Sequence, residues 1–465
     1  MLPRRSVLVA LAPCAVILLA TSAAAFDGVS TDVAGFVGMA AQGPVGQPVP
    51  VTSYEEFVSI FGLTGSLEHP YLGPAVAAFF LGGGQSLRVV RAPGADPLEL
   101  TGSEGLGALG TVDAVAIVAI PGVTDLAVQT AVIAHCEAHG DRIGILDPAA
   151  RDDVVAVQAQ RAALVATGGH AALYYPWIVA APDGQERELP PSGFVAGLYA
   201  ASRADASPIG VVATATGVTD PLTTDEADQL NGLGINPIRD FGPQGIRVWG
   251  ARTLSSDPEW RYVTVRRTAM FLEESIHDGT EWAVLEPNDP ALWQQLEVAV
   301  ADFLYGLWLA GWFVGAQPDE AFFVRCDAST HTADDLDAGR TVILVGFAML
   351  APAEFNILRV EHERETGTAV PSLDAALDVS AAPNPFNPRT TLRVSVTTPG
   401  PLEIRIHDAR GRLVRRLTRG PRPAGVAVVS WDGRDDRGHA VPSGSYLARV
   451  RAGSRAGTRS LMLVR

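Results

Sequence analysis

The sequence predicts an α/β (α+β) multi-domain body followed by a small all-β sandwich, and three observations carry the prediction. Up to about residue 360, apolar runs of strand length alternate with segments of helical periodicity. After residue 381 the pattern becomes short alternating strands parted by Gly- and Pro-rich turns. The charge changes at the same place: residues 381–465 hold 16 Arg against 5 acids (+11), and the rest of the chain holds 19 Arg against 46 acids (−27). Such a split marks a domain boundary near residue 380.

At 465 residues, 47% hydrophobic and 18% charged, the chain can bury a sizeable core across several domains. It contains no lysine, so Schiff-base and P-loop lysine chemistry are excluded. Three cysteines, Cys14, Cys136 and Cys326, make neither a disulfide framework nor a zinc pattern. The basic C-terminal part brings no nucleic-acid-binding motif with its arginines, so it reads as a solvated surface or one drawn to an acidic partner.

Residues 1–25 read as a secretory signal: Arg4 and Arg5, an apolar run over 7–20, then Ala23, Ala24 and Ala25, with Phe26 as the mature start. The apolar run is short for a membrane span, so the only membrane role expected is through export. Residues 34–38 read as a strand and Gly43-Pro44-Val45-Gly46 as a turn. Ser53 reads as the N-cap of a short helix, with Glu56 completing a capping box. Residues 75–80 read as helix, stopped by Gly82-Gly83-Gly84, and 87–91 as strand. That glycine run neither follows a strand nor opens a helix, so it is not a phosphate cradle. Residues 114–120, 126–139 and 142–147 read as strand, helix and strand, hence a βαβ unit with a parallel pair. Asp147, at the strand end before Pro148, reads as a turn former. His135 and His139 have metal-ligand spacing but no third ligand, and read as structural.

Further helices are read at 154–167, after Pro190-Pro191, and at 225–233, with a strand running into a turn at 171–178. Residues 262–266 alternate as a strand, and a helix follows near 268–277. Its Glu273 and Glu274 point about 100° apart, so they are not a general acid/base pair. Asp289 N-caps and Pro290 opens a long amphipathic helix of roughly 30 Å. Its stripe of Leu292, Leu296, Ala299, Val300, Phe303, Leu304 and Leu307 reads as packing on a sheet. Residues 330–340 are acid-rich, but the glycine and glutamate of a calcium loop are misplaced, and the segment reads as a polar loop and short helix. Strands are read at 342–347 and 355–360, a linker at 366–380, and six short strands at 392–397, 403–408, 413–417, 427–431, 446–451 and 458–464.

Several motifs, in this order and spacing, resemble contractile tail sheath proteins of phages, phage-like bacteriocins and extracellular injection systems. They are Gly28-Val29-Ser30-Thr31, Leu189-Pro190-Pro191-Ser192-Gly193, Trp249-Gly250-Ala251-Arg252-Thr253, Trp260-Arg261-Tyr262-Val263 with Arg266-Arg267, Glu273-Glu274-Ser275-Ile276, Glu286-Pro287-Asn288, Phe322-Phe323-Val324-Arg325, and Pro352-Ala353-Glu354-Phe355. Asn384-Pro385-Phe386-Asn387-Pro388 and Trp431-Asp432-Gly433-Arg434-Asp435 resemble the Ig-like domain of flagellar hook-capping type and type IX secretion sorting domains. The domains expected are thus a signal-like segment 1–25, N-terminal and middle sheath regions 26–240, a C-terminal sheath domain 241–365, a linker 366–380 and an Ig-like sandwich 381–465.

The resemblance implies a structural subunit, not an enzyme, with no cofactor and no metal. It would polymerise with itself as stacked six-fold rings around an inner tube protein, near a baseplate, and contract to drive the tube through a target envelope. It implies that Glu354, Phe355, Asn356, Ile357, Leu358, Arg359 and Val360 belong to or adjoin the linkage between subunits, in which arms add strands to a neighbour's sheet. Sheath proteins usually carry an N-terminal arm before the Gly-Val-Ser-Thr motif; here the signal-like segment takes its place, and cleavage would leave Phe26 and Asp27. Two readings follow: a sheath subunit assembled in the cytoplasm, and an exported, surface-attached protein with a sheath-like fold and a C-terminal sorting or adhesion domain.

Overall fold

Val33–Gly38 (β1), buried at five of its six positions, is the strand around which the first half of the body assembles. After it come β2 (Val49–Val51), α1 (Tyr54–Phe61), α2 (Leu72–Leu81) and β3 (Ser86–Arg91). Two short helices, α3 (Pro97–Thr101) and α4 (Leu106–Leu109), lead to β4 (Ile117–Ala119). Then α5 (Leu126–His139) leads to β5 (Ile143–Leu146), and α6 (Val154–Ala163) to β6 (Ala171–Tyr175). The computed structural model describes residues 26, 28–63 and 70–363, and 379–463 apart from 385, 397–399, 409–412, 423–424, 437 and 453–454. The signal-like residues, with Ala23 and Ala25, and linker residues 366–378 lie outside the described residues.

The rest of this half comprises β7 (Ile178–Ala180), β8 (Arg187–Leu189), α7 (Ser192–Ala201), β9 (Gly210–Val211), β10 (Ala215–Val218), α8 (Thr224–Gly232), β11 (Ile235–Asp240) and β12 (Ile246–Val248). Nine strands form one sheet in the order β2-β3-β1-β4-β5-β6-β11-β12-β9. It is parallel from β3 to β11 and antiparallel at its edges. The expected βαβ unit is β4-α5-β5, with Ile117 opposite Ile143. Along β1 the side chains alternate between two cores: Ala34 and Phe36 belong to the one that also holds residues of α1, α2 and α7, and Val33 and Val37 to the one that holds residues of α3, α4, α5, α6 and α8. Strands covered on both faces read as continuous apolar runs, which is why they were visible in the sequence. α5 has the bounds read from the sequence, because Asp125 caps Ala127 and Val128 at 2.8 and 3.1 Å and Gly140 closes it at φ +74°.

The second half of the body is α9 (Val263–Thr280), α10 (Pro290–Leu309), α11 (Pro318–Ala321), β13 (Phe322–Arg325), α12 (Ala333–Asp337), β14 (Arg340–Phe347) and β15 (Asn356–Glu363). The expected strand at 262–266 is corrected: extended structure ends at Tyr262, which bridges Arg252, and Val263 already begins α9. Val263, Val265 and Arg266 are all buried, because the helix is packed on more than one side there, so its face has no polar half to betray the 3.6 period. α10 is capped as expected, Asp289 accepting from Ala291 and Leu292, and its stripe packs on β13 and β14 in a separate core.

The chain divides into two compact units, a body over Phe26–Arg364 and a C-terminal unit within Glu365–Arg465. The C-terminal unit has β16 (Val379–Ala382), β17 (Thr390–Val396), β18 (Gly400–Asp408), β19 (Leu413–Arg422), β20 (Gly425–Trp431), β21 (Gly444–Ala452) and β22 (Arg455–Leu463). Three strands pair as β16-β17-β20 and four as β19-β18-β21-β22, around a core centred on the fully buried Trp431. All six expected strands are present, and the seventh, β16, starts at Val379, inside the stretch read as linker.

Candidate subunit interface

β15 alternates cleanly. Leu358, Val360 and His362 are buried against α9 and β14, while Ile357, Arg359 and Glu361 face out. It pairs with β14 over its whole length, Asn356 opposite Phe347 and Glu363 opposite Arg340. The sheet order is β13-β14-β15, so β15 is an edge, and among the described residues no strand occupies its other side. An edge strand presents a row of main-chain donors and acceptors to any incoming strand. Of the residues singled out in the sequence, Asn356 to Val360 lie in this strand. Glu354 and Phe355 precede it: Glu354 is exposed in the turn, and the Phe355 ring packs edge-on to Phe323 at 5.2 Å.

Two of its side chains, Arg359 and His362, fix β15 in place. Arg359 Nη2 donates to Asp335 Oδ2 at 2.9 Å, and Arg340 bonds the other oxygen of the same buried carboxylate at 2.7 Å. Bonds from the Thr332 main-chain N–H and hydroxyl, then from Arg340, hold the Asp335 carboxyl well below the usual carboxylate range. The acid-rich 330–340 segment is therefore an anchor for the edge strand. Further along, His362 Nε2 lies 2.6 Å from Thr280 Oγ1. That hydroxyl donates its one hydrogen to the Ile276 carbonyl, so His362 carries the proton on Nε2 and donates. Burial, then the neighbouring His277, pushes His362 down to about 4, so it is neutral.

The start of the body lies against the same core. The Phe26 ring packs on Phe303 of α10 at 4.5 Å, and the Val29 N–H donates to Ser275 Oγ of α9 at 3.0 Å. Gly28 is required between them, since a Cβ there would lie 2.4 Å from the Phe271 ring. The structure thus brings Phe26 and β15 to one core, a meeting that sequence reasoning missed because they are more than 300 residues apart in the chain.

The motif-rich stretch from Trp249 is the junction between the two halves of the body. Asn236 of β11 donates to the Arg252 carbonyl at 2.7 Å and accepts from its N–H at 2.6 Å. Arg267 is buried and donates to the Tyr199 carbonyl at 2.8 Å, Ser202 Oγ at 3.1 Å and the Ser202 carbonyl at 3.3 Å, capping the end of α7. Arg266 pairs with Glu273 at 3.3 Å and lies over the Trp260 ring.

In doubly wound sheets the ligand crevice opens at the carboxyl ends of the strands where the order reverses, here beside β1 and β4. That place is filled. Gly38, Met39, Leu72, Leu100, Pro121 and Val123 leave a cavity of about 10 Å³, room for one water. Asp147 is not the turn former read from its position. It is a buried tie, accepting from the Gly122 N–H at 2.9 Å and from the Ser192 N–H and hydroxyl at 2.8 and 2.7 Å. The His135 and His139 rings lie 4.3 Å apart, tilted by 36°, and among the described residues no three His, Cys, Asp or Glu side chains gather as metal ligands.

Comparison with known proteins gives the family. Residues 102–254 match the phage tail sheath protein central domain and residues 255–363 the phage tail sheath C-terminal domain; this part of the chain belongs to the tail sheath family. Residues 386–456 match the FlgD Ig-like domain. A protein of Pseudomonas aeruginosa (strain UCBPP-PA14), named as a prophage major tail sheath protein, is 30% identical over 186 residues, 38% of this chain and 46% of that protein. The match therefore spans about half the length of that relative. The sheath complex of the extracellular contractile injection system PVC, in its contracted state, is 29% identical with a TM-score of 0.61, covering 76% of this chain and 98% of the other. The helical sheath of the anti-feeding prophage in its contracted state is 27% identical with a TM-score of 0.59, covering 77% and 98%.

Proposed function

We propose that the chain is a structural subunit of a contractile sheath, joined to its neighbours by strand addition at the edge of β15. The observation that carries this reading is the whole-body likeness to solved sheath subunits, 98% of whose length is covered, and β15 lying at the edge of its sheet supports the linkage. Subunits would stack as six-fold rings around an inner tube, and contraction would repack them without changing the fold of each body. Negative-stain electron microscopy of residues 26–365 and 26–465 tests it. Striated tubes or cogwheel rings are expected, and single particles from both would overturn self-assembly as the function.

A second reading has its own support in the FlgD Ig-like domain and the signal-like first 25 residues. In it the protein is exported and surface-attached, the C-terminal unit serving for sorting or adhesion. Mass spectrometry of the protein from its own cells separates the two. A mature N-terminus at Phe26 supports export, and an intact segment 1–25 within particles supports the cytoplasmic sheath.

A further inference from the structure

α9 ties the two halves of the body together, since Val263 and Met270 belong to a core of the first half and Leu272 and Ile276 to the core of the second. Its first turns lie beside the loop that leads into β6, where Arg266 acts on His170. That loop is clasped from both sides. The Gly168 N–H donates to Glu137 Oε1 of α5 at 2.9 Å, and Ser255 Oγ donates to the Thr167 carbonyl at 3.0 Å. Gly169, at φ +74°, lies so close to Trp260 that a Cβ would stand 2.9 Å from the Trp260 carbonyl oxygen. The Leu254 N–H donates to the Ala171 carbonyl at 2.8 Å.

The polar groups sealed inside this clasp are poorly served. His170 is 5% exposed, and among the described residues neither of its ring nitrogens has a hydrogen-bond partner. Arg266 is buried beside it, and its Nε–H is unpartnered as well. Arg266 Nη2 reaches Glu273 at 3.3 Å, and the guanidinium lies 4.7 Å over the Trp260 ring. A buried polar atom without a partner costs stability. Three of them at one place mark a joint that the packing around it holds shut against the preference of its polar groups. The charged and titratable groups around His170 are Arg266 and Glu273 from α9, Glu137 from α5 and, nearer its main chain, the buried Cys136 thiol. Burial, then the Arg266 guanidinium, push His170 down to about 3, and the Gly140 carbonyl, close to the ring without well-formed bonding geometry, offsets only part of this. The ring is neutral in the closed joint.

We propose that this joint is an acid-sensitive latch, in which protonation of His170 releases the first turns of α9 from the 167–171 loop while the two halves keep their own cores. On opening, both ring nitrogens and Arg266 Nε meet water, and the imidazolium no longer shares a sealed site with a guanidinium. The open state holds His170 at its ordinary value near 6.5 and the closed state holds it far lower. Closure is therefore fully favoured above 6.5 and loses ground as pH falls. The latch lies within one copy and is independent of whether copies polymerise.

The test is hydrogen exchange of the full chain, read at Leu254, Val263 and Arg266, whose amides donate to the Ala171, Ala251 and Tyr262 carbonyls. After correction for intrinsic rates, their opening constant should rise about thirtyfold from pH 7.5 to pH 5, and that of the 117–119 amides far less. His170→Gln and His170→Leu should each flatten the rise. His362→Gln should leave it in place, which separates the latch from the anchor of β15. Thermal melts at pH 7.5 show which variants fold. A rise that survives in a folded His170 variant would overturn the proposal. So would a rise shared equally by the 117–119 amides, which is general acid unfolding, or none in wild type. Tubes or rings at pH 7.5 bear on the sheath reading alone, so the two can fail separately.

Discussion

Asp147 is held by two opposed effects. Burial penalises its charge, and three donors favour it. Burial wins, and the carboxyl is pushed up to about 6. The folded state therefore favours the protonated acid. Its stability contribution is fully present below the free-acid range near 4 and is lost as pH rises through 6, about 2 to 3 kcal/mol in all. Asp147→Asn removes that charge but leaves one N–H without an acceptor, which costs about 1 to 2 kcal/mol. At pH 7 the two nearly cancel, so the difference is the readout: the margin in urea midpoint of wild type over the variant should shrink as pH rises from 4 to 6.5, whatever the other groups contribute to both. Arg267 makes a simpler case. Arg267→Ala strips the donors from the end of α7 and should lower stability by about 3 kcal/mol, and Arg267→Lys should recover only part, because an ammonium cannot span carbonyls set for a fork. Neither role could be read in the sequence, since both depend on partners 25 to 68 positions away.

At the scale of elements, β15 shows what a pattern can and cannot say. The alternation of Leu358 and Val360 with Ile357 and Arg359 was legible, and so was the stripe of α10, because each has one wet and one dry face. The last turn of pairing, to Glu363, was not legible, since His362 and Thr341 look polar until their buried partners are known. The start of α9 failed for the opposite reason, being buried too completely to show a period. The strand's two polar anchors make it separable from the sheet by pH. His362, neutral in the fold and pushed down to about 4, gives stability that is full above its ordinary value near 6.5 and is lost as pH falls toward 4. Asp335, held low, contributes above the ordinary carboxylate range and is lost on further acidification. Hydrogen exchange at the 356–363 amides should therefore accelerate between pH 6.5 and 4, after correction for intrinsic rates, before that at 117–119. Asp335→Asn should accelerate it already at pH 7. Equal protection of both segments across this range would mean the edge strand has no looser state of its own.

For the whole molecule, the boundary near residue 380 was the plainest feature of the sequence, because charge and strand spacing change together there. Among the described residues, the core around Trp431 contains only residues from Val379 onward, and the three cores of the body contain none of them. Two such parts should unfold in two transitions. Trp431 is the place to test this, being fully buried, in ring contact with Phe386 and Tyr446, and hydrogen-bonded from its indole N–H to the Arg434 carbonyl at 3.0 Å. Trp431→Ala should cost about 3 to 5 kcal/mol, a large part of what a domain of this size has. Calorimetry of the full chain should then show the smaller transition shifted far down or lost, with the larger one unmoved. If both transitions move, the units share stability and the C-terminal domain is part of the sheath body in energy if not in sequence. If only one moves, the same variant becomes a clean tool. Tubes that still form from it would place assembly in residues 26–363 alone.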